Sequence, residues 1–86
     1  MIPARDTWGP FAPGLDPAEY RARLRCLRAI VRLTTGPRGD ALARHLRQAE
    51  TDPAALLLAL NALNRLAGLD LRHVVASYAA LNRTAA

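Results

Sequence analysis

Lysine is absent from this chain of 86 residues, and all twelve basic side chains are arginine. A coding bias toward Arg, Ala, Leu, Gly and Pro produces such a composition, so where the arginines stand says more than how many there are. A lone cysteine, Cys26, excludes an internal disulfide and cannot by itself supply a metal cluster. The aromatics are only Trp8, Phe11, Tyr20 and Tyr78, while hydrophobic residues reach 51%, mostly Ala and Leu. Closely packed helices suit that balance and sheets do not, so the expected fold is all-α. Long apolar runs are missing too. The longest, 54–60, falls far short of the roughly 20 residues that cross a bilayer, and the first residues lack the basic-then-apolar layout of a signal peptide. The expectation is a cytoplasmic protein with no membrane partner.

Acidic residues are scarce, and five of the seven (Asp16, Glu19, Asp40, Asp52 and Asp70) stand where helices begin. Only Asp6 and Glu50 are left over, so no paired carboxylate is available for acid–base chemistry. Cys26 with His45 is the one conceivable nucleophile and base; the competing reading packs Cys26 as a small apolar side chain. His45 and His73 have no neighbours at metal-ligand spacing, and there is no glycine-rich phosphate loop. Ser77, inside a helical stretch, does not suit a prosthetic arm. No enzyme activity, cofactor or metal is expected.

What is present is helical periodicity divided by clear breaks. Residues 1–15 hold prolines 3, 10 and 13 and glycines 9 and 14, which predicts an extended arm ahead of one helical domain, 16–86. Asp16-Pro-Ala-Glu19 opens a helix over 16–35 with a capping box, and Gly36-Pro37-Arg38-Gly39 closes it. Its apolar row is Tyr20, Leu24, Leu27 and Val31, widened by Cys26, Ile30 and Leu33. Asp40 is placed to cap a second helix, 40–50, with Leu42, Leu46 and Ala49 inward, Arg44 and Arg47 in water, and a weak Asp40–Arg44 pair. Asp52-Pro53 and Gly68 mark a third, 52–67, with Leu56, Ala59, Leu60, Leu63 and Ala67 on one face. Asp70 then caps a fourth, 70–83, with Leu71, Val74, Val75, Tyr78 and Leu81 inward. Short connections predict a compact, mostly antiparallel bundle of four helices. The third helix, apolar nearly all round, is expected at its centre.

Two features point to binding. Arg21, Arg25, Arg28 and Arg32 recur at spacings of 4, 3 and 4, so they form a stripe about 16 Å long opposite the apolar row, with few acids near enough in sequence to pair with them. Leu57 and Leu58 lie outside the main apolar face of the third helix and require cover. The arm's Trp8 and Phe11 supply it by lying across the helices, or insert into a partner instead; a second copy of the chain is the other source. These features suit a small non-catalytic interaction module, regulatory or adaptor in kind, that docks on a protein partner with an acidic surface and forms a homodimer.

The alternative is a nucleic-acid-binding regulator that meets phosphates with the arginine stripe. Residues 65–74 resemble the turn of a helix-turn-helix: a small residue, Gly68, an apolar residue, Asp70 and then Val74. Arg72, His73 and Ser77 would then make base contacts within a degenerate motif over 60–83. Asn64 and Ser77 depart from the pattern, since both positions call for small or apolar residues, and an ordinary helix connection explains the same turn.

Overall fold

A computed structural model of the chain describes residues 8–83. Regular structure among them is entirely helical. A 3₁₀ turn, Gly9–Phe11, precedes α1 (Pro17–Thr35); a second, Gly36–Gly39, leads into α2 (Asp40–Gln48), followed by α3 (Ala55–Asn64) and α4 (Gly68–Arg83). Residues 1–7 of the expected arm lie outside the described residues.

α1 begins where its sequence says it should. The Asp16 carboxylate accepts the Glu19 N–H at 2.9 Å and Pro17 occupies the first turn, where a missing N–H costs nothing. Only half of the capping box forms, because the Glu19 side chain lies 3.6 Å from Arg23 instead. Gly36 ends the helix with φ +56°, a left-handed conformation that a side chain would resist. Gly39 is needed for a different reason: a methyl group there would run into the Thr35 hydroxyl and the Val31 side chain, so the α1–α2 corner closes only on a residue without one.

The hub is α1, not the third helix as the sequence pattern suggests. α1 packs against α2, α4 and both 3₁₀ turns, whereas α3 packs chiefly on α2. Its 19 residues, roughly 28 Å of helix, offer room for several neighbours, which the ten residues of α3 do not. Leu24, Leu27, Val31, Leu42, Leu46, Leu63 and Val74 are fully buried at the centre. The Tyr20 hydroxyl donates to the Ala49 carbonyl at 3.0 Å and ties the start of α1 to the end of α2, so the two run antiparallel.

Several boundaries and faces differ from the sequence reading. Gly39, without a side-chain cap, precedes α2, and Asp40 is its first residue, not its cap. Asp40 and Arg44 do not pair; helix spacing permits that contact without enforcing it. Asp52 turns the chain locally by accepting the Ala54 N–H at 3.1 Å, and α3 starts only at Ala55. The end of α3 tightens into i+3 hydrogen bonds, Arg65 to Ala62 and Leu66 to Leu63, so no left-handed stop is required. Gly68 therefore opens α4, which places Asp70 in its first turn. The inward face of α3 is Ala55, Ala59 and Leu63, with Ala67 exposed in the turn beyond.

Leu33 and Leu81, expected inside, are 86% and 58% exposed. Leu33 shares the Cys26 side of α1 two turns further on and is left open to solvent there. The described part of the arm, from Trp8 on, folds back on the helices. Pro10 and Phe11 are buried, the Trp8 ring lies 4.8 Å from that of Tyr78, and Arg23 Nη1 donates to the Gly9 carbonyl at 3.0 Å.

Candidate functional site

The outer side of α1 carries Arg21, Arg25, Arg28 and Arg32 at spacings of four, three and four, and antiparallel packing brings the outer side of α2 alongside it. Arg25, Arg28 and Arg32 from α1 and Arg44 and Arg47 from α2 line one open groove of about 610 Å³, together with Asp40, Ala43 and Glu50. Arg21, the fourth residue of the stripe, is exposed on α1 and does not line it. Five guanidinium groups thus face two carboxylates, a formal surplus of three positive charges.

The two acids stand at opposite ends of α2, ten residues or roughly 15 Å apart. Glu50 is the engaged one. Its side chain is 13% exposed; Oε1 accepts from Arg25 Nε at 2.9 Å and Oε2 lies 3.9 Å from Arg28 Nη1. Half of the sequence stripe is thus paired within the chain, contrary to the expectation that it has little to pair with. Glu50 is close to Arg25 and Arg28 only through the turn at Gly36–Gly39, a proximity invisible along the sequence. Arg32, Arg44 and Arg47 have no acidic partner among the described residues.

Arg44 and Arg47 are the site residues that stripe reasoning left in plain water. Their signal was nevertheless present: spacing of three opposite the buried Leu42–Leu46 row, and a four-residue connection that obliges α2 to fold back along α1.

Arg38 is bound elsewhere. It forms a forked pair with Asp70 across to α4, Nε to Oδ2 at 2.8 Å and Nη2 to Oδ1 at 2.9 Å. That hydrogen bonding holds the Asp70 carboxyl below its ordinary range against the opposing effect of desolvation, and raises Arg38. The pair fastens the α1–α2 corner to α4. Burial likewise pushes the Tyr20 and Tyr78 hydroxyls up.

The apolar candidates divide. Phe11 is buried and Trp8 half-buried against their own chain, but they do not supply the cover expected for Leu57 and Leu58. Phe11 lines a shallow hollow with Pro53, just ahead of α3, and with Leu56, Leu57 and Leu60 of α3. Leu57 and Leu58 stay 65% and 51% exposed. In α4, Arg72 and His73 are exposed and Ser77 half-buried. α4 packs on α1 with little contact to α3, so residues 60–83 lack the tightly packed helix pair from which a helix-turn-helix presents its second helix.

Cys26 and His45 are not brought together. Cys26 packs against the core on α1, and His45 faces a separate hollow with Arg38, Leu58 and Arg65. No group of three or more His, Cys, Asp or Glu residues suited to a metal occurs among the described residues, and no helix among them is long and apolar enough to cross a membrane. Comparison with protein-family models, with curated proteins and with solved structures gives no match to this chain.

Proposed function

We propose that the chain is a small non-catalytic interaction module, a bundle of four helices with the arm packed across it, that docks an acidic surface of a protein partner in the groove between α1 and α2. The observation that carries this reading is the set of three arginines, Arg32, Arg44 and Arg47, gathered from two helices into one groove and not ion-paired there, with Asp40 the one carboxylate near them that Arg25 and Arg28 do not engage. Three unneutralised guanidinium groups repel one another, and an arriving anion relieves that repulsion while it gains charge-assisted hydrogen bonds. Exposed charges of this kind mainly speed encounter and set specificity, which suits a regulatory contact.

Self-association belongs to the same reading. α3 carries no charged residue and leaves Leu57 and Leu58 exposed, so a second copy of the chain can cover them, with Arg38 and Arg65 at the edge of the contact beside Leu58. Light scattering after size exclusion measures it: a dimer that Leu58→Gln dissociates is expected, and a monomer at high micromolar concentration refutes it.

A nucleic-acid reading draws on the same groove, because three unpaired arginines also suit a run of phosphates. Titration with labelled poly-L-glutamate and with random-sequence duplex DNA separates the two. Docking on acidic protein predicts saturable poly-L-glutamate binding at physiological salt and negligible duplex binding. Tight duplex binding, with a log–log salt slope near −3 for three phosphates neutralised, overturns it in favour of nucleic acid.

A further inference from the structure

The groove is not uniform, and its division selects among anions. At one end Glu50 already satisfies Arg25 and Arg28, and that trio keeps one net positive charge. At the other end stands Asp40, the first residue of α2. Between them lie Arg32, Arg44 and Arg47, which together with Asp40 carry a net charge of two. From this arrangement we infer that the middle of the groove is a site for a phosphomonoester dianion, the group presented by a phosphorylated serine, threonine or tyrosine of a protein partner. The inference rests on the docking reading above and names the chemistry of what docks.

Three physical points support it. A phosphomonoester near neutral pH brings close to two negative charges and three acceptor oxygens, which match a net charge of two and three guanidinium forks; a carboxylate brings one charge and two oxygens and leaves the middle unneutralised. The three guanidinium groups can each make planar, two-pronged contacts to phosphate oxygens, a capacity of the side chain itself and not a choice over lysine, which the chain nowhere uses. The carboxylates at the two ends count against a continuous polyanion. A nucleic-acid strand laid along the groove presents one charge per phosphate and meets Asp40 or Glu50 on the way out, whereas a single compact dianion sits between them.

The lining includes no histidine; His45, the nearest in sequence, turns to the opposite side of α2, where its ring nitrogen lies 3.4 Å from the Gln48 side-chain oxygen. The groups that face the site are the Asp40 and Glu50 carboxylates and the five arginines. Between pH 5 and pH 7.5 the free phosphomonoester is the group whose charge changes, with a second pKa of about 6, and the arginines, by favouring the dianion, lower that value on binding. Affinity should fall as pH drops through that range.

The test uses the whole chain and four probes: inorganic phosphate, a short phosphoserine peptide, the same peptide with glutamate in place of phosphoserine, and the unphosphorylated peptide. Calorimetry gives affinities, and backbone amide NMR shifts locate them. Expected are binding of phosphate and phosphopeptide, a preference of about tenfold for the phosphopeptide over the glutamate peptide at pH 7.5, and loss of most of that preference at pH 5. Arg32→Gln and Arg44→Gln should each weaken the phosphopeptide about tenfold, while Arg65→Gln, an equal change of charge outside the groove, should not. Circular dichroism shows that each variant is folded.

Equal, pH-independent binding of phosphopeptide and glutamate peptide overturns the dianion site and leaves acidic docking standing. Failure of every probe overturns both. Binding of inorganic phosphate without the phosphopeptide, or phosphopeptide binding indifferent to Arg32 and Arg44, also overturns the inference.

Discussion

Gly39→Ala tests the packing that creates the groove. The backbone itself does not object: φ is −99° and ψ 8° at Gly39, within reach of alanine, and loss of glycine's freedom in the unfolded chain would favour the variant by about 0.4–1 kcal/mol. The obstacle is contact. A Cβ at this position stands 2.6 Å from Val31 Cγ1, against the ordinary 3.5–4.0 Å between carbons, and collides with the Thr35 hydroxyl. Thr35 is 2% exposed and its hydroxyl donates to the Val31 carbonyl at 2.6 Å. Moving it aside strands a buried donor, at about 1–3 kcal/mol, and pushing α2 outward instead costs about 1–3 kcal/mol as overpacking. The steric cost wins over the entropic gain, and a net loss of about 1–2 kcal/mol is expected. Urea denaturation followed by far-ultraviolet circular dichroism measures it. Thr35→Ala in the same chain removes one of the two colliding groups, so the double variant should recover at least about 1 kcal/mol relative to additivity. A neutral Gly39→Ala, or strict additivity, would refute the close α1–α2 corner and with it the shape of the groove.

The remaining predictions address the core, the α1–α4 tie and the engaged carboxylate. Leu63→Ala removes a fully buried side chain from α3 and should cost about 2–4 kcal/mol by denaturation; a neutral result would mean that α3 is not packed through Leu63. The Asp70 carboxyl is held low by its hydrogen bond to Arg38, so its contribution to stability is present above the unfolded value of about 3.9 and is lost as pH falls through the lower folded value. Asp70→Asn should therefore lower the melting temperature at pH 7 and flatten its decline below pH 4; an unchanged acid profile would remove the tie from the stability of the fold. Glu50→Gln frees Arg25 and Arg28 from a carboxylate, so poly-L-glutamate should bind more tightly and with greater salt dependence. Weaker binding would mean that Glu50 is needed to hold the arginines in place.

The sequence was most legible where a signal is local. The Asp16 cap, the buried row of Leu24, Leu27 and Val31, and the Leu42–Leu46–Ala49 row depend on helix spacing alone and stand in the structure as the spacing predicts. Signals that depend on a neighbour were harder to read. Asp70 looked like a cap because nothing in the sequence announces Arg38, 32 residues away, and Glu50 looked idle because Arg25 and Arg28 reach it only across a turn. Gly68 has the composition of a stop, yet i+3 bonds at Ala62 and Leu63 had already closed α3. The same distinction applies to the site. Three of the four stripe arginines line the groove, but its other wall, Arg44 and Arg47, belongs to a second helix whose placement follows from the chain's fold rather than from its periodicity.

The claim that the groove, and not net charge at large, receives an acidic partner is tested most directly by two triple variants of equal charge. Arg32, Arg44 and Arg47 changed together to glutamine remove the three unpaired arginines of the groove; Arg21, Arg65 and Arg72 changed together to glutamine remove three exposed arginines outside it. Both lower the formal net charge from +5 to +2. Poly-L-glutamate binding at physiological salt should be lost in the first variant and nearly retained in the second. Equal losses in the two would show that any arginine serves, and would contradict a binding site between α1 and α2.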